Sequence, residues 1–217
     1  MAVHIEVFTF NPFQENTYVL YDDKKNCVII DPGCYEKEEE QVLLNFIKSN
    51  DLSPLALLNT HAHIDHVLGN NFVLDNYSVE HYLHNDDLTT LNAVPNYAHL
   101  YGFAGYKVSP LPTKILKGGE KLIFGDIELD VIFTPGHSPG HVVFYNKENK
   151  FVINGDVLFK GSYGRVDLPG GSLEVLKKSI TEKMFTLPDD TVVYCGHGPS
   201  TSIATEKRSN YILHELA

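Results

Sequence analysis

Basic residues are scarce in this chain. Lys and Arg number 17 against 28 Asp and Glu, leaving a formal net charge of −11. No basic run interleaved with aromatics offsets this, so a phosphate backbone meets repulsion over most of the surface and no nucleic-acid partner is expected. Nothing resembles a run of 18 or more apolar residues, and no membrane partner is expected. Cysteine is equally thin: Cys27, Cys34 and Cys195 make no disulfide framework. The stretch Met1 to Phe10 alternates apolar and polar as a strand does. It lacks the charged start, long apolar middle and small-residue cleavage site of a secretion signal, so a cytoplasmic location is the simplest expectation. With 43% hydrophobic and 21% charged residues, the rest reads as an ordinary globule. A length of 217 residues suits one domain, 1–217, with a sizeable core.

What the chain does hold is a concentration of metal-ligand types. Residues 60–66 read Thr60-His61-Ala62-His63-Ile64-Asp65-His66, after the apolar run Leu55-Ala56-Leu57-Leu58. His61 and His63, two apart at a strand exit, leave from the same face. Asp65 and His66 fall where the chain turns into a helix, which returns them toward the same point. Three later segments end in Gly136-His137, Gly155-Asp156 and Gly196-His197, each after a short apolar strand. Glycine lets a strand end turn sharply, so the next side chain points off the sheet edge. Taken singly, each has an ordinary explanation: Asp65 caps a helix, and a lone Gly-His is a turn. Jointly they do not. Five His and two Asp exceed the three or four ligands of one zinc, and argue for two metals sharing a bridging carboxylate.

The surrounding pattern places these segments. Strands are expected at about 3–10, 16–21 and 26–31, then a helix at about 35–49 with Val42, Leu43, Phe46 and Ile47 on one apolar face. The acidic run Glu36 to Glu40 reads as a solvated face at the positive helix terminus. After Ser109-Pro110-Leu111-Pro112, strands follow at about 121–124, 127–133, 141–146 and 150–154, then helix, strand and a last helix. Two halves, about 1–110 and 111–217, each of strands followed by helix, stack sheet on sheet with helices outside: an α/β four-layered sandwich. Residues 92–108 carry four aromatics among glycines without a steady period, and read as a pinned surface loop or a lid over the metals.

In these segments the chain resembles the metallo-β-lactamase superfamily, and within it the short glyoxalase II-like (hydroxyacylglutathione hydrolase-like) branch. Asn11-Pro12-Phe13-Gln14-Glu15-Asn16-Thr17-Tyr18 resembles that branch's opening strand-turn, and Asp31-Pro32-Gly33 the superfamily's second motif. Gly155-Asp156-Val157-Leu158-Phe159 and Gly161-Ser162-Tyr163-Gly164-Arg165-Val166-Asp167 are most similar to the short bacterial members. The resemblance implies an αβ/βα fold and two Zn²⁺ per chain, with iron or manganese as alternatives. It implies one metal on His61, His63 and His137, the other on Asp65, His66 and His197, and Asp156 bridging. It implies a thioesterase using a hydroxide held between the metals, with Asp65 catalytic, a small-molecule thioester as substrate and Arg165 contacting it. Persulfide dioxygenases, with one iron on the equivalents of His61, His137 and Asp156, and β-lactamase-like amide hydrolases are the alternatives, ahead of a non-catalytic metal-stabilised binding protein. The full glyoxalase II enzymes grip glutathione through a helical C-terminal domain, whereas only 20 residues follow His197 here.

The remaining candidates are weaker. Lys160 lies near Arg165, while Lys207 and Arg208 read as a solvent-facing helix. His81 and His84 are placed on a loop edge, and His4, His99, His141 and His214 read as isolated surface or core histidines. Cys195 reads as a buried small hydrophobe, and Tyr163 has little to mark it as a substrate contact.

Overall fold

The computed structural model describes residues 2–216; Met1, at the head of the alternating run, and Ala217 lie outside the described residues. The chain opens with three antiparallel strands, β1 (Val3–Phe10), β2 (Glu15–Asp22) and β3 (Asn26–Ile30). Helix α1 (Lys37–Ser49) then carries the chain over to β4 (Ser53–Leu58), parallel to β3. Short helices α2 (Ile64–Val67) and α3 (Asn70–Asn76), strand β5 (Glu80–His84), helix α4 (Leu88–Tyr97) and strand β6 (Lys114–Leu116) complete a six-stranded sheet in the order β1 to β6.

The second sheet opens with the antiparallel run β7 (Lys121–Phe124), β8 (Ile127–Phe133), β9 (Val142–Asn146) and β10 (Phe151–Gly155). A two-stranded hairpin, β11 (Leu158–Phe159) and β12 (Ser162–Tyr163), leads to α5 (Leu173–Glu182) and to β13 (Val192–Cys195), parallel to β10. Strand β14 (Thr201–Ser202) and helix α6 (Ile203–Ser209) follow, and the strand order is β14-β13-β10-β9-β8-β7.

The layers follow from which faces are apolar. Leu20, Val28, Ile30 and Leu58 of the first sheet meet Leu129, Val131, Phe144 and Ile153 of the second in one buried cluster. On the outer face of the first sheet, Val19, Ile29 and Leu57 pack with Leu43 and Ile47 of α1 and Val73 of α3. On the outer face of the second, Val143, Val152 and Val193 pack with Leu176 and Ile180 of α5 and Ile203 of α6. Because alternate strand residues face opposite sides, both faces of each sheet are covered, giving the expected αβ/βα sandwich.

Three local expectations need correction. Val42 is 48% exposed, so the buried stripe of α1 is Leu43 and Ile47 with Phe46 beside them. Residues 92–97 are the second part of α4 rather than loop, and one further helical turn spans Ala98–Tyr101. Leu91, Val94 and Ala98 form its buried stripe, and Pro95 masked it, since proline is disfavoured inside a helix. Here Pro95 sits near the C-terminal end, just before the helix tightens. His81 and His84 lie within β5, not on a loop, and both are buried. Three residues of parallel pairing on each side leave too short a pattern to read.

Candidate metal centre

The parallel strands deliver side chains to one cleft at their carboxyl ends. β3 runs into Asp31, β4 into residues 59–66, β10 into Asp156 and β13 into His197, while β8 leads through Thr134-Pro135-Gly136 to His137. Such sheet ends are where α/β folds hold ligands. His61, His63 and His137 form one trio whose ligand atoms lie within 4.8 Å of one another, and Asp65, His66 and His197 form another. Asp156 stands between them. Its Oδ2 is 3.5 Å from both His137 Nε2 and His197 Nε2, and its Oδ1 is 3.5 Å from His66 Nε2.

Outer partners decide which ring nitrogen turns inward. Thr60 Oγ1 donates to Asp31 Oδ2 at 2.5 Å, so it accepts from His61 Nδ1 at 3.0 Å. His66 Nδ1 donates to Asp31 Oδ2 at 3.1 Å, His137 Nδ1 to the Arg165 carbonyl at 2.7 Å, and His197 Nδ1 to the Phe13 carbonyl at 3.0 Å. All four rings therefore present Nε2 to the cleft. His137 Nε2 faces His61 Nε2 at 3.2 Å and His63 Nδ1 at 2.8 Å. The Nε2 lone pairs of His61 and His137, 3.2 Å apart, repel unless a cation lies between them. His66 Nε2 and Asp156 Oδ1 are buried without a hydrogen-bond partner, a condition rare enough to need a cause. Imidazole and carboxylate donors in this mixture fit a divalent transition metal.

The two trios differ electrically. Burial holds His61 well below its usual pKa, lowers His137, and takes His63 down to about 3, so these rings are neutral donors. Burial opposes charge on His66 and His197 as well, but Asp65 and Asp156 overcome it. They push His66 well above its usual value and His197 up to about 10. The same imidazoles, against the opposing effect of burial, hold Asp65 below and Asp156 well below the usual carboxylate range. One half of the cleft thus offers neutral lone pairs, and the other pairs two carboxylates with two imidazoliums whose protons a metal cation can replace.

Several residues behind the cleft carried no sequence signal. His141 Nε2 accepts the backbone N–H of Asp156 at 3.0 Å, and its ring stacks on His61 at 4.7 Å. Asp87 accepts from Ala62 N at 2.7 Å, Gly140 N at 2.9 Å and Ser138 Oγ at 3.0 Å, tying together the loops of the first trio. Asn59 donates to the His66 carbonyl at 3.0 Å and accepts from His81 Nε2 at 2.8 Å. The second motif, Asp31-Pro32-Gly33, contributes Asp31 as the shared acceptor beneath His66 and Thr60.

Arg165 lies at the rim with its side chain 60% exposed and paired to Asp167 through two bonds of 2.7 and 2.8 Å. Lys160 is exposed, and Lys207 pairs with Asp189 at 2.6 Å. Cys195 is buried, and burial lifts its thiol to about 12, as suits a small hydrophobe. Tyr163 stacks on Tyr211. Tyr101 and Phe103, beyond α4, each pack 5.8 Å from the Phe13 ring, whose backbone carbonyl holds His197.

Known proteins resemble this chain over nearly its whole length. Hydroxyacylglutathione hydrolase GloC of Haemophilus influenzae is 36% identical over 213 residues, covering 98% of this chain and 99% of that protein. The crystal structure of BLEG-1 B3 metallo-β-lactamase superposes with a TM-score of 0.88 at 38% identity, over 97% of this chain and 99% of that one. TTHA1623, solved in a di-iron-bound form, gives 0.84 at 38% identity, over 95% and 99%. The metallo-β-lactamase superfamily model matches residues 10–197. That span takes in every ligand-type side chain of the cleft, and the chain belongs to the metallo-β-lactamase superfamily of metal-dependent hydrolases.

Proposed function

We propose that this hydrolase holds two metals and cleaves small-molecule thioesters of the hydroxyacylglutathione kind. His61, His63 and His137 would hold one metal and Asp65, His66 and His197 the other, with Asp156 placed to serve both. Zinc is the first expectation; iron or manganese suits the same donors, and TTHA1623 carries two irons. The observation that carries the reading is the pair His66 Nε2 and Asp156 Oδ1, both buried without a hydrogen-bond partner and 3.5 Å apart where the second trio meets Asp156.

When bound, such a metal supplies Lewis acidity and lowers the pKa of water from 15.7 to about 7. The protein's part is orientation. Asp65 Oδ2, 3.2 Å from His197 Nε2, accepts a hydrogen bond from the attacking water and aims it. The leaving group then selects the substrate class. A thiolate, with a pKa of about 8.5, departs unaided, whereas an amide nitrogen needs a proton. The buried carboxylates near the cleft are otherwise engaged: Asp65 and Asp156 face histidines, Asp31 and Asp87 accept several hydrogen bonds, and Glu15 lies behind His66. A thioester asks least of this site. Arg165, exposed at the rim, offers its guanidinium to a substrate carboxylate in exchange for Asp167.

The likeness to BLEG-1 favours a second reading, lactam hydrolysis. Thiol release from S-lactoylglutathione, measured beside cephalosporin opening, separates the two. Chelator-sensitive thiol release supports the proposal. Cephalosporin turnover with no thiol release from any small thioester overturns it.

A further inference from the structure

Residues 11–16, a turn leading into β2, contact every member of the second trio, and among the described residues no hydrogen bond joins them to His61, His63 or His137. Asn11 Nδ2 donates to the carbonyl of Asp65 at 3.2 Å. The Phe13 carbonyl accepts from His197 Nδ1 at 3.0 Å and so fixes that ring with Nε2 inward. Glu15 Oε1, buried and without a hydrogen-bond partner, lies 3.8 Å from His66 Nδ1. Asn16 makes the firmest grip. Its backbone N–H donates to Gly196 O at 2.7 Å, and its side-chain amide forks to the carbonyls of Cys195 at 3.1 Å and Gly198 at 2.8 Å. His197 is bracketed on both sides by one buried amide.

The first trio has a different brace. Asp87 holds the amide of Ala62, between His61 and His63, and the Ser138 hydroxyl and Gly140 amide just after His137. No hydrogen bond joins Asp87 to the 11–16 turn. Asn11 and Asn16 themselves are 9% and 5% exposed, out of reach of a substrate.

We infer that Asn16, with Asn11, is a positioning residue for the second metal and Asp87 one for the first, so that each metal has a brace of its own beside Asp31, which both halves share. The inference rests on the two-metal reading above. Loss of the Asn16 fork removes the side-chain donor from the Gly198 carbonyl, while Cys195 keeps the Tyr18 hydroxyl and Gly196 its bond to Gly155, so the loosening falls on His197 and lets its ring leave its carboxylate neighbours. His61, His63 and His137 keep their own partners. Outer hydrogen bonds of this kind are worth about 10- to 100-fold in metal affinity.

The test is cobalt(II) titration of the stripped full-length protein, followed by absorption, with histidine ¹⁵N NMR of the zinc-loaded form to identify the bound rings. The wild type is expected to take two equivalents; uptake of one defeats the two-metal reading itself. Asn16→Ala and the near-isosteric Asn16→Asp, which lacks the two donors, are expected to keep the first-equivalent spectrum and weaken the second equivalent about 10- to 100-fold. His61, His63 and His137 should stay zinc-bound while His197 is released. Asp87→Asn should do the reverse. Wild-type loading of both equivalents in Asn16→Ala, or equal loss of both, overturns the inference. Should Asn16→Ala fail to fold, Asn11→Ala decides by the same readings.

Discussion

His141 Nε2 accepts the backbone N–H of Asp156 at 3.0 Å, so this buried imidazole supports the carboxylate between the two trios. Thr134 Oγ1, 3.4 Å from Nδ1, lies on its other side. Its inward nitrogen being occupied, His141 is a support rather than a ligand. His141→Ala is expected to leave Asp156 poorly aimed and to weaken metal binding about 10- to 100-fold. Metal retention after dialysis against a weak chelator measures this, and unchanged retention would show the contact to be idle.

Gly196 tests the crowding of the cleft. A Cβ built there comes 2.1 Å from Asp156 Oδ1 and 2.9 Å from His66 Cε1, so Gly196→Ala must displace one of them. Metal content and thioester kcat should fall together while secondary structure by circular dichroism is retained. Full metal content in this variant would contradict the placement of Asp156.

Arg165 separates substrate contact from stability. Its pair with Asp167 is exposed on both sides, and such solvent-screened pairs add little to stability. Arg165→Ala should leave the melting temperature nearly unchanged and raise the KM for a carboxylate-bearing thioester. Unchanged KM and kcat would remove Arg165 from the substrate site.

A pH signature comes from His81. Burial lowers its folded pKa to about 4, from 6.5 in the unfolded chain. A depressed folded pKa contributes stability that is present above 6.5 and lost as pH falls toward 4, because the unfolded state binds the extra proton. Between pH 7 and 5 the loss from this one group is about 2 kcal/mol. Urea unfolding of the wild type and His81→Gln at both pH values isolates it. Equal slopes would mean that His81 does not stay neutral in the fold.

Much of the fold and the outline of the site were legible because their signals are local. Strands 121–124 and 127–133 coincide with β7 and β8, and β10 differs by one residue from its expected span. The run from His61 to His66 carries its chemistry within six residues, and the Gly-His and Gly-Asp strand ends stand out against short apolar strands. What escaped reading depends on distant contacts. Helix α4 was hidden by Pro95, whose cost is offset by the burial of Leu91, Val94 and Ala98. Strand β5 pairs over only three residues on each side and holds two histidines facing the interior. His141, Asp87 and Asn59 each lie alone in sequence and acquire a role only when β4, β9 and the loop after β8 are brought together. A single sequence does not mark such partners.

Elemental analysis of the protein purified without added metal, read as metal identity and atoms per chain, tests the two-metal hydrolase most directly. Close to two metal ions per chain are expected, zinc foremost, with S-lactoylglutathione hydrolysis rising in step with occupancy. One iron per chain, with oxygen uptake on glutathione persulfide and no thioester hydrolysis, would contradict it.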